Sequence, residues 1–193
     1  MQNNHSKTRA LTGTAILTAV VIVLQLLGSF IRFGTFSISL VLIPIVVGAA
    51  MYGTWSGAWL GFVFSMVVLF QPDTQFFMGI SAFGTILTVL VKGTLCGLCA
   101  GLVYLAVEQK NRYLAVVLAA IACPVVNTGI FLWGCRLFFF DTIREMAGAK
   151  GFDNAGTFLL VGFVGLNFVF EMIVNIVLSP VIVRLLNIGK KTA

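Results

Sequence analysis

The sequence predicts an all-α integral membrane protein: a single domain over residues 1–193 built as a bundle of six transmembrane helices. Three observations lead there. Of the 193 residues 60% are hydrophobic and only 9% charged, and the mean hydropathy is +1.08, whereas soluble domains carry about 25% charged residues. The apolar residues fall in runs of about 20, the length a helix needs to cross a hydrocarbon core of about 30 Å. The basic residues stand mainly at the ends of those runs, where the bilayer sorts them. That placement turns the net charge of +6 away from nucleic acid and toward membrane topology. Disorder is excluded by 18 Phe and the long Val/Ile/Leu runs.

The spans are predicted at 10–30, 36–53, 55–70, 83–107, 113–140 and 157–186. The first follows Lys7 and Arg9 and runs on without a cleavage site, so it reads as a retained span rather than a leader. The second and third are short and meet tightly around Tyr52-Gly53-Thr54-Trp55. Residues 71–82 and 141–156 read as loops, and 1–9 and 187–193 as tails. Lys7, Arg9, Lys110, Arg112, Arg184, Lys190 and Lys191 gather on one side, against Arg32, Arg144 and Lys150 on the other. The basic excess predicts a plasma-membrane protein with both termini cytoplasmic. No phosphate-binding loop of the Walker type occurs, so any ATP hydrolysis would belong to another subunit.

Two glycine ladders, Gly53-Gly57-Gly61 and Gly93-Gly97-Gly101, place three glycines along one helix face, where a neighbouring backbone approaches closely. Packing within the bundle is the reading preferred for them. Ala15 and Ala19, preceded by Gly13, form a smaller seam on the first span. The pair Cys96 and Cys99 has dithiol spacing. It falls well inside the fourth span with no second dithiol in a loop, which favours packing. The one histidine, His5, lies in the N-terminal tail, so imidazole chemistry within the membrane is excluded and a metal centre or other cofactor is not expected.

Ionisable and amide groups within apolar spans are costly and mark a site by default. Here they are Lys92, Asn127, Arg136, Asn167, Glu171 and Asn175, with Trp133 near Arg136 as a possible aromatic wall. Asn167, Glu171 and Asn175 recur every fourth residue and share a helix face. Either they form a polar cavity open to the outside, or Lys92 and Glu171 pair to tie two spans together.

With these features the chain resembles the substrate-binding S components of energy-coupling factor (ECF) transporters, over essentially its whole length. The most specific stretch is Gly48-Ala-Ala-Met-Tyr-Gly53-Thr-Trp-Ser-Gly57-Ala-Trp-Leu-Gly61-Phe-Val-Phe-Ser65. Thr54 stands where Pro is common in that family, and Ser65 where Asp is common. Ala15-Ile-Leu-Thr-Ala19 is similar to the family's AxxxA, which lies against the transmembrane coupling subunit. The resemblance implies a non-enzymatic capture subunit that binds a small vitamin-like compound outside and topples in the membrane to release it inside. It also implies partners: one integral-membrane T subunit and two cytoplasmic ATPase subunits. The family's pockets lie in the outer loops and last three spans, which selects Lys92, Asn127, Trp133, Arg136, Asn167, Glu171 and Asn175 for substrate. That mixture suits a small nitrogen heterocycle such as a flavin, pterin or deazapurine. The alternatives are a self-sufficient ion-coupled carrier with Glu171 as its ion site, and a membrane thiol oxidoreductase using Cys96 and Cys99.

Overall fold

The computed structural model describes the backbone of residues 2–28, 32–33, 36–37 and 40–191, and the side chains of 7–28, 40–165 and 167–187. His5, Arg32, Lys190 and Lys191, used above for their side chains, fall outside the described side chains. The chain runs α1 (Gln2–Gly28), a minimal hairpin of β1 (Arg32–Phe33) and β2 (Phe36–Ser37), α2 (Leu42–Tyr52), α3 (Thr54–Leu69), α4 (Pro72–Ile80), α5 (Ala82–Val107) and α6 (Arg112–Phe138). It continues through α7 (Phe140–Ala149), the single turn α8 (Ala155–Thr157), a π-helical segment (Phe158–Phe163) and α9 (Gly165–Lys191).

The six expected spans are helical at their centres, but they are not six equal crossings. Four segments are long and apolar enough to span: Lys7–Gly28, Ala82–Val107, Arg112–Phe138 and Asn167–Asn187. The pair α3 and α4 reaches that length together and is bent by 77° at its joint. The second expected span, 36–53, is corrected: 36–37 belong to the hairpin and only Leu42–Tyr52 is helical. Those 11 residues rise about 16 Å, half a hydrocarbon core.

The two stretches expected as loops contain helices. Pro72 opens α4, where its missing N–H costs nothing, and Asp73 in the first turn suits the helix dipole. Gln75 Nε2 donates to the Leu69 carbonyl at 2.7 Å, satisfying a group freed by the bend. In α7, Ile143 and Ala147 are buried one turn apart while Arg144 and Glu145 face outward. It is a short amphipathic helix whose charges obscured it in the sequence.

Five of the six ladder glycines pack α3 against α5, as expected; Gly53 instead joins α2 to α3 at φ 97°, and a Cβ there would meet nothing within 4 Å. A Cβ at Gly57 would lie 2.6 Å from the Gly97 carbonyl oxygen, and one at Gly61 would strike the Gly93 carbonyl. Gly101 meets Thr54 at the start of α3. The next rung is polar: Ser65 Oγ donates to the Val89 carbonyl at 2.7 Å. Thr54 and Ser65, the two departures from the family pattern, therefore both serve the α3–α5 seam. One turn past Ser65 the seam ends, and Val68 and Thr85 belong to the wall of a cavity.

Around the seam packs a largely aliphatic core that includes Val21, Ile45, Leu60, Val116 and Ile182, with Phe64 among them. A second, aromatic cluster sits beside the cavity. Phe77 meets the rings of Phe139, Phe131 and Phe163 edge-on at 5.0, 6.2 and 6.2 Å between centroids. This arrangement suits the ring quadrupoles.

Candidate functional site

Helices α1, α5, α6 and α9, with the α3–α4 pair about its joint, enclose a cavity of about 80 Å³ at the end of the bundle away from Lys7 and Asn187. Each element contributes polar groups to it. Helix α1 supplies Gln25 near its end, and the joint supplies Gln71, Asp73 and Thr74. Helix α5 supplies Thr85, Thr88 and Lys92, which follow one another at steps of three and four and so share a face. Helix α6 supplies Asn127, Thr128 and Phe131, and α9 supplies Asn167 and Glu171.

The approach of α9 to the cavity is set by the π-helical segment before it. The Val164 N–H reaches back to the Leu159 carbonyl at 3.2 Å, the widened turn that π geometry requires. At Gly165, where α9 begins, a Cβ would lie 2.5 Å from the Leu160 carbonyl oxygen. Glycine is thus needed for the π turn to close, and the turn sets the register that brings Val164, Asn167 and Glu171 to the cavity.

Of the seven residues expected at the site, the fold brings four together: Lys92, Asn127, Asn167 and Glu171. Asn175 lies one turn below Glu171, but its Nδ2 donates to the Glu171 backbone carbonyl at 2.8 Å, and it is not in the cavity wall. Trp133 is 68% exposed on the outer surface of α6. Arg136 is also exposed and its guanidinium lies 4.0 Å from the centroid of the Phe140 ring. Helix phase explains both misplacements. At about 100° per residue, Trp133 and Arg136 stand roughly 240° and 180° around from Asn127, whereas Phe131 stands only about 40° away. The same arithmetic would have found Thr85, Thr88 and Phe131. Gln25 was legible as the one amide in the first span.

Charge and hydrogen bonding are arranged asymmetrically. Glu171 is 3% exposed, and its Oε1 accepts from Asn167 Nδ2 at 3.4 Å. The Lys92 ammonium lies over two rings, 5.1 Å from the Phe131 centroid and 5.9 Å from that of Phe64, a cation–π position. Gln71 Nε2 donates to the Gln25 backbone carbonyl at 3.3 Å, tying the α3–α4 joint to α1. Gln25 Oε1, Thr88 Oγ1, Asn127 Oδ1 and Asn167 Oδ1 are buried and meet no hydrogen-bond partner among the described residues. Each such group costs about 1–3 kcal/mol in an apolar surround; Thr54 Oγ1, Arg112 Nε and Asn175 Oδ1, away from the cavity, are in the same state.

Ala15 and Ala19 are exposed on α1, outside the cavity wall. Across the seam from them, Thr14 Oγ1 donates to Ser56 Oγ at 3.1 Å and Trp59 Nε1 donates to Thr18 Oγ1 at 3.2 Å, holding α1 to α3. Cys96 is buried, with its thiol donating to the Gly93 carbonyl at 3.1 Å, and Cys96 and Cys99 are both free thiols. Among the described residues no group of three or more His, Cys, Asp or Glu is placed to hold a metal ion.

The bundle, its small-residue seam and a polar cavity at one end accord with a comparison against known families. The family model for the ECF transporter substrate-specific component matches residues 9–183. The chain belongs to that family. No curated protein and no solved structure matches it. As an S component it is a multi-pass membrane protein and a non-enzymatic binding subunit, working with a substrate and an ECF coupling module.

Proposed function

We propose that the chain is the substrate-capture subunit of an ATP-driven micronutrient importer and that the cavity between α1, α5, α6 and α9 is its substrate site. The observation that carries this reading is the convergence of Lys92, Asn127, Asn167 and Glu171 on one cavity in an otherwise apolar bundle. Four polar side chains from three helices would not be gathered at membrane depth without a function, because each is expensive there. The substrate is a small vitamin-like or nitrogen-heterocycle compound, held by amide and carboxylate acceptors at its edges and phenyl rings at its faces. At about 80 Å³ the cavity is smaller than the roughly 300–1,000 Å³ of ligand pockets, so the walls move apart to admit it.

The partners in this reading are an integral-membrane T subunit, which meets α1 along Ala15 and Ala19, and two cytoplasmic ATPases. Both termini are cytoplasmic and the cavity, at the opposite end, faces outward. Uptake into liposomes tests the reading, using the compound that co-purifies with the chain. Uptake that needs ATP and the coupling subunits supports it. Uptake by the chain alone, driven by an ion gradient, overturns it in favour of a carrier with Glu171 as ion site.

A further inference from the structure

Helices α5 and α6 run antiparallel and in register beside the cavity. A Cβ at Gly84 would meet Phe138, one at Gly134 would meet Thr88, and the next rung sets Lys92 against Phe131. Lys92 stands ten residues into α5. That is about 15 Å from the outer end of the helix, near the middle of a hydrocarbon core of about 30 Å.

An ammonium at that depth is costly unless an acceptor meets it. Lys92 Nζ lies 5.1 Å and 5.9 Å from the centroids of Phe131 and Phe64, and it makes no hydrogen bond or ion pair among the described residues. The Glu171 carboxylate acts on it through space without bonding it. The two ring faces attract the charge, but they offer no oxygen to its three N–H donors. Lys92 is half-buried and its nitrogen keeps surface in the cavity wall, whereas the partnerless oxygens of Gln25, Thr88, Asn127 and Asn167 are fully enclosed. A charged donor is thus open to whatever fills the cavity.

Charge sets the kind of partner. Lys92 is the single cation in the described wall, which also holds the carboxylates of Glu171 and Asp73. Asp73 belongs to the first turn of α4 at the joint. Lys92 lies seven residues along α5 from Thr85, about 10 Å deeper. One ammonium matches one negative charge. A dianion would keep a second charge facing two carboxylates with nothing to offset it. The rings beside the ammonium suit a flat group attached to the acid.

We propose that the transported compound is a small aromatic monocarboxylate whose acid group pairs with Lys92, so that Lys92 selects for the acid. This rests on the reading of the cavity as the substrate site and adds the charge of what fills it.

Benzoate, benzamide and benzylammonium share one ring and nearly one size, and differ in charge. Their binding to the detergent-purified full chain is measured by calorimetry, alongside the thermal midpoint of the ligand-free protein. Benzoate is expected to bind about tenfold or more tightly than benzamide, since charge-assisted bonds are the stronger, with benzylammonium weakest. Lys92→Gln is expected to abolish the advantage of benzoate while leaving benzamide little changed, and Lys92→Arg to preserve the order. Benzamide or benzylammonium binding as tightly as benzoate, no binding of any of the three, or a benzoate preference that survives in folded Lys92→Gln would each overturn the proposal. If Lys92→Gln does not fold, the wild-type order and its retention in Lys92→Arg decide. The importer reading is tested separately, by ATP-dependent uptake of the co-purified compound.

Discussion

Asn167 and Glu171 stand one turn apart on α9, and the amide of the first donates to the carboxylate of the second at 3.4 Å. The bond uses the nitrogen of Asn167, and its oxygen is buried and meets no hydrogen-bond partner among the described residues. A neighbouring amide thus steadies the carboxylate in the cavity wall. If ligand donors complete this pair, Glu171→Gln keeps the shape and removes the charge. The loss of a hydrogen bond to a charged group costs about 1.5–3 kcal/mol, or roughly tenfold to a hundredfold in affinity. The ligand-free thermal midpoint is expected to stay the same, because the glutamine carbonyl can still accept from Asn167 Nδ2. Trp133→Ala, on the outer surface, is expected to leave affinity unchanged. Calorimetry with the co-purified compound and a thermal scan of each variant check both statements.

The α3–α5 seam gives a stability prediction. An added methyl at Gly61 strikes the Gly93 carbonyl, which is backbone and has nowhere to go. Gly61→Ala and Gly93→Ala are expected to cost at least about 1–3 kcal/mol, as overpacking does, or to abolish folded yield. Gly129→Ala on α6 meets nothing within 4 Å and is expected to be neutral or slightly stabilising, since alanine is the better helix former. Monodispersity and the thermal midpoint in detergent distinguish the three.

The exposed alanines of α1 test assembly. Ala15→Trp or Ala19→Trp adds bulk where the coupling subunit is proposed to approach, outside the cavity wall. Uptake by the assembled transporter is expected to fall to background while ligand binding by the isolated chain is retained. Loss of binding in equal measure would place the seam inside the folded chain instead.

Orientation is tested by labelling. Asn111 and Asn154 cap helices through their side-chain oxygens, which accept from the Leu114 and Gly156 N–H groups, so cysteine there would cost about 1 kcal/mol. The exposed neighbours Lys110 and Asp153 are better sites. In a cysteine-free background, an impermeant thiol reagent is expected to label Asp153→Cys on intact cells and to leave Lys110→Cys unlabelled. The reverse pattern would invert the topology and turn the cavity inward.

The sequence made some of this legible and hid the rest for physical reasons. Glycine spacing of four revealed the α3–α5 seam, because only a face of small residues lets two backbones touch. That Lys92, Asn127, Asn167 and Glu171 line one cavity was foreshadowed because polar groups in apolar spans are conspicuous. Helices α4 and α7 were not, since short amphipathic helices with Asp73 or Arg144 on them read as charged loops. Trp133 and Arg136 have the chemistry of site residues, but the phase of α6 keeps them out of the cavity wall. The π-helical segment before α9 carried no signal at all: Gly162 and Gly165 sit among many other glycines.

The central claim is that the cavity holds the transported compound at Asn127 and Glu171. It is tested most directly by mass spectrometry of what co-purifies from rich medium with the wild-type chain and with the Asn127→Ala/Glu171→Gln double variant. The account predicts one small nitrogen-bearing compound at near-stoichiometric occupancy on the wild-type chain and its loss from a double variant that remains folded. The same compound retained at the same occupancy on the folded double variant would contradict it.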